Sequence, residues 1–533
     1  MKRRSLLVLM SGVLVMSGCS EQSSEPETTE DGRVVLKGLM TKHPLTKDLS
    51  EMEWLQEAEE RAGVEIEWEE VTADWDQKKG AMLAGGDIPD LIVGPNAITD
   101  ADFAKFKGLF EDLSGHIDEN APNVQRMFEE KQELKELSTQ AGGEIYGLPK
   151  YQRFWPETAT RQFINQQWLD HLGLEQPTTW DELFTVLQAF KEQDANGNGD
   201  PNDEIAMDFS PVGTGGFGFF QPNVLLGSTG ITLTDGSGQG TFVEEGEVKN
   251  FLVDDRYKQM IEFLHKCWKA GLINKEAFTQ DYTKYQSVGR GQGETAKVGF
   301  TWGWELTDRF GNELAPQYTS VAPLKVTAGS SDEVSWSYDY NTLNYGTNFI
   351  QMSSATKDKE AAMKFINELY DPEVSLQVLF GSIGPNIAKE GEAYTILPPE
   401  EAEMDPGTWK WTSTWADHGP MYISDALDVT LGSDMQSVGS QTEAFQPALD
   451  AVDPEKDVFP GVFLKYSEED NNTMSLNNTA IMNLAMANFS KWITKGGIDA
   501  EWESYVKELE SMGLNQNTDI MQTYYDEFMS KQQ

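Results

Sequence analysis

The sequence predicts an α/β fold divided into at least two domains. Apolar segments of strand type alternate with helical segments over residues 34–93, at the spacing of a parallel sheet that is covered by helices. The chain of 533 residues is also long, and single hydrophobic cores stop growing at roughly 250–300 residues. These two observations together predict an α/β protein with more than one core.

The N-terminal part repeats a strand followed by a helix. Gly63 and the pair Gly85–Gly86 are expected to end the two helices, since glycine adopts the left-handed conformation that closes a helix. Residues 64–69 alternate apolar and polar side chains, as a half-buried strand does. The predicted elements are strand 34–39, helix 54–63, strand 64–69, helix 74–83 and strand 91–93.

Helices dominate the chain from Trp168 onward. Thr178 or Thr179 is the expected N-cap of one of them, because Asp181 and Glu182 then fall in its positive first turn. The predicted helices are 168–172, 180–192, 258–270, 361–369 and 484–525, the last with breaks at Gly496–Gly497 and Gly513.

The first nineteen residues have the pattern of a secretory signal. Basic residues 2–4 precede an apolar run over 6–16, which is too short for a stable transmembrane helix. The segment then places Ser17 and Gly18 before Cys19 and resembles the lipobox of bacterial lipoproteins. Residues 1–18 would be a removed signal peptide, and Cys19 would carry the lipid that holds a flexible tether, residues 19–34, on the extracytoplasmic face of the membrane. The alternative is an ordinary signal peptide with an incidental cysteine.

The charge balance limits the partners of this chain. It has 88 acidic and 41 basic residues and a formal net charge of −47. We expect no binding to nucleic acid, because phosphates need a basic surface. Long-range capture of polyanions is also disfavoured, although salt confines the repulsion to about 10 Å and a local basic pocket could override it.

The signatures of enzymes are weak. The 5 histidines are scattered, and the sequence holds no HExxH, GxSxG, phosphate-loop or CxxC motif. We therefore expect no catalytic residues. The count of 88 acidic residues leaves a paired-carboxylate glycosidase possible, since its two acids are defined by their separation in space.

An acidic loop over residues 194–204 predicts a cation site. Oxygen ligands stand at its first, third and fifth positions, a glycine follows for the sharp turn, and position seven would contribute its backbone carbonyl, as in the front half of a calcium loop. Position twelve is Ile205, so no bidentate glutamate closes the loop there. The expected Ca²⁺ is structural; the alternative is an Asx-turn loop without an ion. The candidate ligands are Asp194, Asn196, Asn198, Asp200, Asp203 and Glu204, with the closing ligand left open among Asn202, Asp203 and Glu204.

Several segments in a fixed order resemble one known family. The resemblance is to the carbohydrate-binding group, family 1, of the extracellular solute-binding proteins of bacterial ABC importers, which includes maltodextrin and alginate receptors. It covers nearly the whole chain after the signal. The matching segments are 82–92 (MLAGGDIPDLI), 143–149 (GEIYGLP), 163–174, 177–183, 293–304 with its Trp-x-Trp pair, 361–366 and 502–506.

The resemblance implies a two-lobe, periplasmic-binding-protein-like fold with discontinuous lobes. Lobe one would take residues 35–150 and 345–380, and lobe two 151–344 and 381–533. A monomer of this kind would bind a carbohydrate, here an oligosaccharide, in the cleft between the lobes and deliver it to a permease. The alternative function is a lipid-anchored polysaccharide lyase or glycoside hydrolase, and a calcium-stabilised adhesin is a more distant one. The large alginate-receptor-like members also carry an EF-hand-like calcium site comparable to the loop described above.

A sugar receptor needs flat apolar faces for the C–H surface of the rings and convergent polar groups for the hydroxyls. In the maltodextrin-receptor relatives, a tryptophan of a matching Trp-x-Trp pair stacks on the sugar, which implies this role for Trp302. Trp304 is assigned equally to core or cleft. For the other candidates the alternative is packing or a solvated surface. These are Trp336 and Tyr338 near the second lobe crossing, Trp409, Trp411 and Trp415 in a stretch bounded by Pro and Gly, and Trp75, Arg153 and Trp155 where the lobes should meet.

Overall fold

The computed structural model describes residues 26–140, 142–200, 202–234, 238–291, 293–330, 333–399 and 406–532. The signal peptide, Cys19 and the first part of the expected tether lie outside this range. The α/β prediction is confirmed. The strands are β1 (Val34–Thr41), β2 (Val64–Val71), β3 (Leu91–Val93), β4 (Gly147–Tyr151), β5 (Arg161–Asn165), β6 (Ile205–Met207), β7 (Thr241–Glu244), β8 (Glu247–Asn250), β9 (Val298–Gly303), β10 (Tyr318–Ser320), β11 (Tyr345–Met352), β12 (Ile387–Glu390), β13 (Ala393–Ile396), β14 (Met421–Tyr422) and β15 (Asp428–Thr430).

The helices agree with the sequence predictions at the N-terminus and extend beyond them later. They are α1 (Glu53–Ala62), α2 (Trp75–Gly85), α3 (Asp100–Lys105), α4 (Ser114–Asn120), α5 (Pro122–Glu130), α6 (Gln132–Ser138), α7 (Gln166–Leu172), α8 (Trp180–Glu192), α9 (Asp255–Lys269), α10 (Tyr282–Gly289), α11 (Leu306–Leu314), α12 (Tyr340–Asn344), α13 (Lys359–Leu369), α14 (Pro372–Phe380), α15 (Pro406–Ser413), α16 (Ser433–Thr442), α17 (Gln446–Leu449), α18 (Glu468–Lys495), α19 (Ile498–Ser511) and α20 (Leu514–Gln532).

The structure tests two predictions about helix ends, the glycine that closes α1 and the N-cap of α8. Gly63 closes α1 in the left-handed conformation at φ 73°. Thr179, and not Thr178, caps α8, because its side chain accepts the backbone N–H of Glu182.

The first lobe is built on a sheet in the strand order β14-β4-β11-β3-β1-β2. Neighbouring strands β1, β2 and β3 are parallel, and β4 is parallel to β14. Only β11 runs in the opposite direction within this sheet. It is the strand that brings the chain back from the second lobe, so it enters the sheet from the other end. The expected parallel sheet is therefore a mixed one.

The second lobe has a smaller sheet in the order β10-β5-β9-β6. Strand β5 pairs antiparallel with β9 and β10, and β6 is parallel to β9. Every residue of β9 is buried, since other elements cover both of its faces. The core around this sheet also takes the inner face of α18, including Ile481, Phe489 and Trp492.

The first lobe takes more of the chain than the expected boundary at residue 380. Tyr394, Trp415 and Val438 pack in the first core, and β14 pairs with β4 in the first sheet. Phe445 is the next residue along the chain that lies in the second core. Burial of these apolar side chains therefore assigns residues 381–438 to the first lobe, not to the second. A two-residue strand such as β14 leaves too little pattern in the sequence to reveal this return.

Three chain segments cross between the lobes and form a hinge: residues 152–160, 336–344 and 439–444. The first two are hydrogen-bonded to each other. Asn344 accepts the backbone N–H of Trp155 at 3.1 Å and donates to the Trp155 carbonyl at 3.0 Å. Asp339 accepts the backbone N–H of Ala159 at 2.9 Å. These bonds hold the two crossings in one fixed arrangement.

Arg161 ties the third crossing to the first. Its buried guanidinium donates to the Thr158 carbonyl at 3.1 Å and to the Thr442 hydroxyl at 2.7 Å. It also donates to the Trp304 carbonyl at 2.7 Å, just after β9. One side chain therefore links two crossings and the end of a central strand.

Candidate binding cleft

A large cleft lies between the two lobes. Its volume is about 1210 Å³, and its walls come from both cores. The first lobe contributes the residues after β3, the start of α3, Lys150 of β4, the first half of β11 and the segment before β14. The second lobe contributes residues around 214–215 and 238–241 and one face of α18. Segments 338–342 and 458–466, together with Thr234 and Met521, complete the described lining.

The position of the first wall follows from the sheet. Strands β1, β3 and β4 are parallel, so their carboxyl ends meet at one edge, where α/β proteins place their ligands. Pro95 and Asn96 follow β3 directly and line the cleft. The carbonyl of Thr41, the last residue of β1, receives a hydrogen bond at 2.8 Å from the lining residue His418.

Lys150 and Asp417 form an ion pair on the first wall. The ammonium nitrogen of Lys150 lies 3.1 Å from a carboxylate oxygen of Asp417, and the same oxygen accepts the indole N–H of Trp155 at 2.9 Å. Burial alone would raise the pKa of Asp417. The charges of Lys150 and Lys410 and the indole hydrogen bond outweigh burial and lower the pKa to about 2. This carboxylate is therefore charged at every physiological pH.

His418 is neutral at physiological pH. Burial lowers its pKa below the ordinary value of 6.5, more than the Thr41 carbonyl and Asp417 raise it. Because Nδ1 faces a carbonyl acceptor at 2.8 Å, Nδ1 carries the proton and Nε2 is an acceptor.

A second ion pair joins α3 to the segment that precedes α18. The Lys465 ammonium lies 2.7 Å from Asp100. Asp100 also accepts the side-chain amides of Asn348 at 2.7 Å and Gln140 at 2.9 Å. Burial raises the pKa of Asp100, but Lys465 and these hydrogen bonds outweigh it, so the pKa stays below its usual value.

The second wall is dominated by α18. Its lining residues repeat every four positions, so they share one face of the helix. The opposite side of α18 packs in the second core. The lining face consists of Asn471, Met474, Ser475, Asn478, Thr479, Met482 and Asn483.

Aromatic side chains line the cleft near the hinge. Tyr338 stands at the second crossing and is 8% exposed, while Tyr345 and Phe349 belong to β11. Phe459 and Tyr466 come from the segment before α18. Their rings give the cleft apolar surface beside its amides and hydroxyls.

Of the ten candidate ligand-binding residues, only Tyr338 belongs to the described lining of the cleft. Trp302 is 0% exposed and packs edge-on against Phe300 in the second core. This burial corrects the expected stacking role, because a sugar in the cleft cannot reach the ring. Trp336 is also buried in that core and donates its indole N–H to the Thr160 carbonyl at 2.8 Å.

Trp155 and Trp304 meet where the lobes touch. Their rings lie edge to face at 6.3 Å, and Trp304 packs against the first core although it follows a second-lobe strand. The Arg161 guanidinium lies 5.2 Å from the Trp304 ring. Arg153 donates to the Leu427 carbonyl at 2.6 Å and lies over the Phe154 ring. Trp155 and Trp304 therefore join the lobes, whereas these contacts of Arg153 are with residues of the first core. None of the three belongs to the described lining of the cleft.

The remaining candidates belong to the first lobe. Trp415 is buried in its core, and Trp75 donates its indole N–H to the Ala97 carbonyl at 3.0 Å. Trp411 is partly buried and stacks on His43 at 4.1 Å, next to the lining residue His418. Trp409 is also partly buried, on the same helix α15.

The α18 face and the two lysine–aspartate pairs were missed in the sequence. The face was outside the predicted helix, which began at residue 484 instead of 468. Its signal is present, because small polar and amide residues recur at helical spacing over 471–483 beside buried Met474 and Ile481. The ion pairs left no signal, since their partners are 267 and 365 positions apart.

The loop at 194–204 folds around its own polar groups. Asp194 accepts the backbone N–H of Gly199 at 2.9 Å, and Gly199 has the left-handed φ of 92° that the turn requires. Asn196 accepts the N–H of Asn198 at 2.9 Å, and Asn198 accepts that of Asp200 at 2.7 Å. Asp200 in turn accepts the N–H of Asn202 at 3.2 Å, so the third, fifth and seventh positions form successive Asx turns.

Two carboxylate oxygens in this loop are buried without a partner in the described part of the chain: Asp194 Oδ1 and Glu204 Oε2. Burial, helped by the charge of Asp203, raises the pKa of Glu204. Asp203 instead accepts the side-chain amides of Asn196 and Asn198, each at 2.9 Å. Within the ranges described, no three His, Cys, Asp or Glu side chains are arranged to hold a metal, so an ion here would need amide and carbonyl oxygens too.

Comparison with known proteins agrees with this architecture. The family model of bacterial extracellular solute-binding proteins matches residues 44–375. The chain is 29% identical to the fructooligosaccharide ABC transporter substrate-binding protein FusA of Streptococcus pneumoniae serotype 4, over 99% of this chain and 98% of FusA. Across the residues whose structure is described, no helix is both long and apolar enough for a membrane span.

Solved structures with the same fold span nearly the whole chain. An HMO-binding, ABC-transporter-associated solute-binding protein from Bifidobacterium longum infantis is 35% identical, with a TM-score of 0.85, and the match covers 94% of this chain and 100% of that one. FusA in complex with kestose is 28% identical, with a TM-score of 0.81 and coverage of 93% and 100%. An EF-hand mutant of FusA in complex with fructo-nystose is 27% identical, with the same TM-score and coverage. The expected two-lobe fold is confirmed, and the chain belongs to the family of bacterial extracellular solute-binding proteins.

Proposed function

We propose that this protein captures an oligosaccharide between its lobes and delivers it, unchanged, to the permease of an ABC importer. The observation that carries the proposal is the interlobe cleft of about 1210 Å³, lined by amides, hydroxyls and aromatic rings. Small-molecule sites are commonly about 300–1,000 Å³, so this cleft accommodates a ligand of several sugar rings.

The lining matches the chemistry of a sugar. Each sugar hydroxyl both donates and accepts hydrogen bonds, and side-chain amides do the same. Asn483 and Asn96 are exposed in the cleft, and no hydrogen bond of their side chains is formed within the described ranges. Tyr338 and Tyr345 provide ring surface for the C–H faces.

The relatives support an oligosaccharide over the alternative of a lyase or glycoside hydrolase. FusA is named for fructooligosaccharide, and its structure was solved with kestose. The Bifidobacterium relative is named as HMO-binding. Both relatives are solute-binding proteins of ABC transporters, not enzymes.

The experiment is a glycan array with the protein lacking residues 1–19, followed by calorimetry on the best hit. We expect one sugar bound per monomer and quantitative recovery of the intact oligosaccharide. Cleavage of excess sugar by sub-stoichiometric protein would contradict the proposal and favour the enzyme.

We further propose that Cys19 anchors the protein to the membrane through lipid. The support is the basic, apolar, Ser-Gly-Cys order of residues 2–19. Cells that express Cys19→Ala should release the protein into the soluble fraction. If the variant stays as membrane-bound as the parent, the anchor lies elsewhere.

We propose that the loop at 194–204 holds Ca²⁺, which would tie its two ends together. The support is the pair of buried oxygens without partners, Asp194 Oδ1 and Glu204 Oε2, which a bound cation would neutralise. This chemistry favours Glu204 as the closing ligand, beside Asn196, Asn198 and the Asp200 carbonyl. FusA, whose EF-hand mutant has been solved in complex with fructo-nystose, also has an EF-hand.

The calcium proposal is tested by thermal melts. Free Ca²⁺ at about 100 times its dissociation constant should stabilise the fold by about 2.7 kcal/mol. The difference between calcium and chelator should disappear in Asp194→Ala and persist in Asp181→Ala, which removes an exposed carboxylate from neighbouring α8. Identical melts of the parent protein with calcium and with chelator would show that the loop consists of ordinary turns and binds no Ca²⁺.

A further inference from the structure

We infer that the cleft selects uncharged oligosaccharides and discriminates against uronate, sialylated and sulfated ones. The inference rests on the proposed function and names its substrate class. In the described part of the lining, the charged side chains are Asp100, Lys150, Asp417 and Lys465, and they form two ion pairs inside the cleft. Neither lysine is left for an anionic sugar.

Separating Lys150 from Asp417 has a high free-energy cost. Lys150 is 5% exposed, and its partner is fixed by the Trp155 indole as well. A ligand carboxylate that recruited Lys150 would draw this cation away from partly buried Asp417, leaving it the charge of Lys410 alone, and would place two negative charges side by side. Removing one partner from a buried pair is strongly unfavourable, so the anion gains little.

The Lys465–Asp100 pair has the same property. Asp100 accepts two side-chain amides in addition to the ammonium, so its charge is held in place from three sides. An incoming carboxylate would compete with Asp100 for Lys465 and would be repelled by Asp100.

The rest of the lining is suited to neutral hydroxyls. Asn96, Asn341 and Asn483 make no side-chain hydrogen bond to the described parts of the chain, and each amide both donates and accepts. A hydroxyl satisfies both halves of an amide, whereas a carboxylate accepts only. The net charge of −47 adds a repulsive field for anions outside the cleft.

The first experiment is an array with neutral oligosaccharides and with uronate, sialylated and sulfated ones of the same lengths. We expect the best neutral hit to bind at least tenfold more tightly than any anionic glycan of equal length. Anionic hits of equal or higher affinity would overturn the inference while leaving the receptor function intact. Binding to no glycan of either kind would instead overturn the proposed function.

The second experiment removes the negatively charged partner of each lysine. Asp417→Asn frees Lys150 and Asp100→Asn frees Lys465, so the affinity for trigalacturonate relative to the best neutral hit should rise at least tenfold at low salt. Glu360→Gln is the control, because it removes one charge from an exposed pair on α13 outside the cleft. Two aspartate variants are used so that the result stands if one fails to fold. An unchanged ratio in the folded variants, or an equal rise in Glu360→Gln, would contradict the inference.

Discussion

The two walls of the cleft are built differently. The first-lobe wall holds the charges Lys150, Asp417 and Asp100, each already engaged by neighbours on the protein. The α18 wall carries no charged lining residue in the described part of the cleft and presents amides, hydroxyls and two methionines. The first wall is therefore preorganised and sets the charge that the cleft tolerates, whereas the second offers hydrogen-bonding groups that a ligand can engage.

The same contrast separates the aromatic residues. Trp302 is buried in the second core, whereas Tyr338 lines the cleft. We expect the first to contribute to stability and the second to contact a ligand. Residue type alone does not distinguish these roles.

The substitution Trp302→Ala is expected to have the largest effect, on the stability of the fold. Removing a fully buried tryptophan should lower the free energy of unfolding by about 3–5 kcal/mol, measured by denaturant melts. Trp411→Ala, at a partly buried residue beside the cleft, should cost less. A stable Trp302→Ala protein that has lost sugar affinity would restore the stacking role of Trp302. It would then be a cleft residue like Tyr338.

The next effect concerns acid stability and the first wall. Asp417 has a pKa of about 2, below the ordinary value of 3.8, so its charge stabilises the fold above about pH 4 and this contribution is lost as pH falls toward 2. The shift corresponds to about 2 kcal/mol. Asp417→Asn should therefore be less stable at pH 7 and lose less stability on acidification than the parent. Parallel pH–stability curves would show that the pair contributes nothing.

A smaller effect is expected on the second wall. Asn483→Ala removes an amide with no hydrogen bond of its own among the described residues, so stability should not change. Loss of about 1 kcal/mol of sugar binding corresponds to roughly fivefold weaker affinity in calorimetry. Asn472→Ala is the matched control, since this exposed asparagine of α18 is not part of the lining. Equal affinities of the two variants would remove α18 from the binding surface.

The smallest effect is that of pH on the first wall through His418. Its pKa lies below 6.5, so the ring stays neutral from pH 8 to 6.5 and affinity should be flat there. Protonation below that range adds a cation beside Lys150 and should weaken neutral-sugar binding and the fold together. A decline that began above pH 6.5 would contradict the neutral assignment.

The sequence predicted the fold better than the site. Alternation of apolar residues and helix-ending glycines located β1, α1, β2, α2 and β3, because these signals are local. The predicted end of the first lobe at residue 380 does not match the packing, because the two-residue strand β14 returns the chain to the first sheet. To predict the site residues, one must know which face of a strand lies toward solvent. Strand β9 is buried on both faces and ends at Gly303, so the spacing of Trp302 and Trp304 could not tell core from cleft.

The most direct test is a crystal structure of the protein with its best array hit. We expect one intact, uncharged oligosaccharide between the lobes, hydrogen-bonded to Asn483 of α18, with the Lys150–Asp417 pair unbroken. A sugar bound outside this cleft, or an acidic group of the ligand in contact with Lys150 or Lys465, would contradict it.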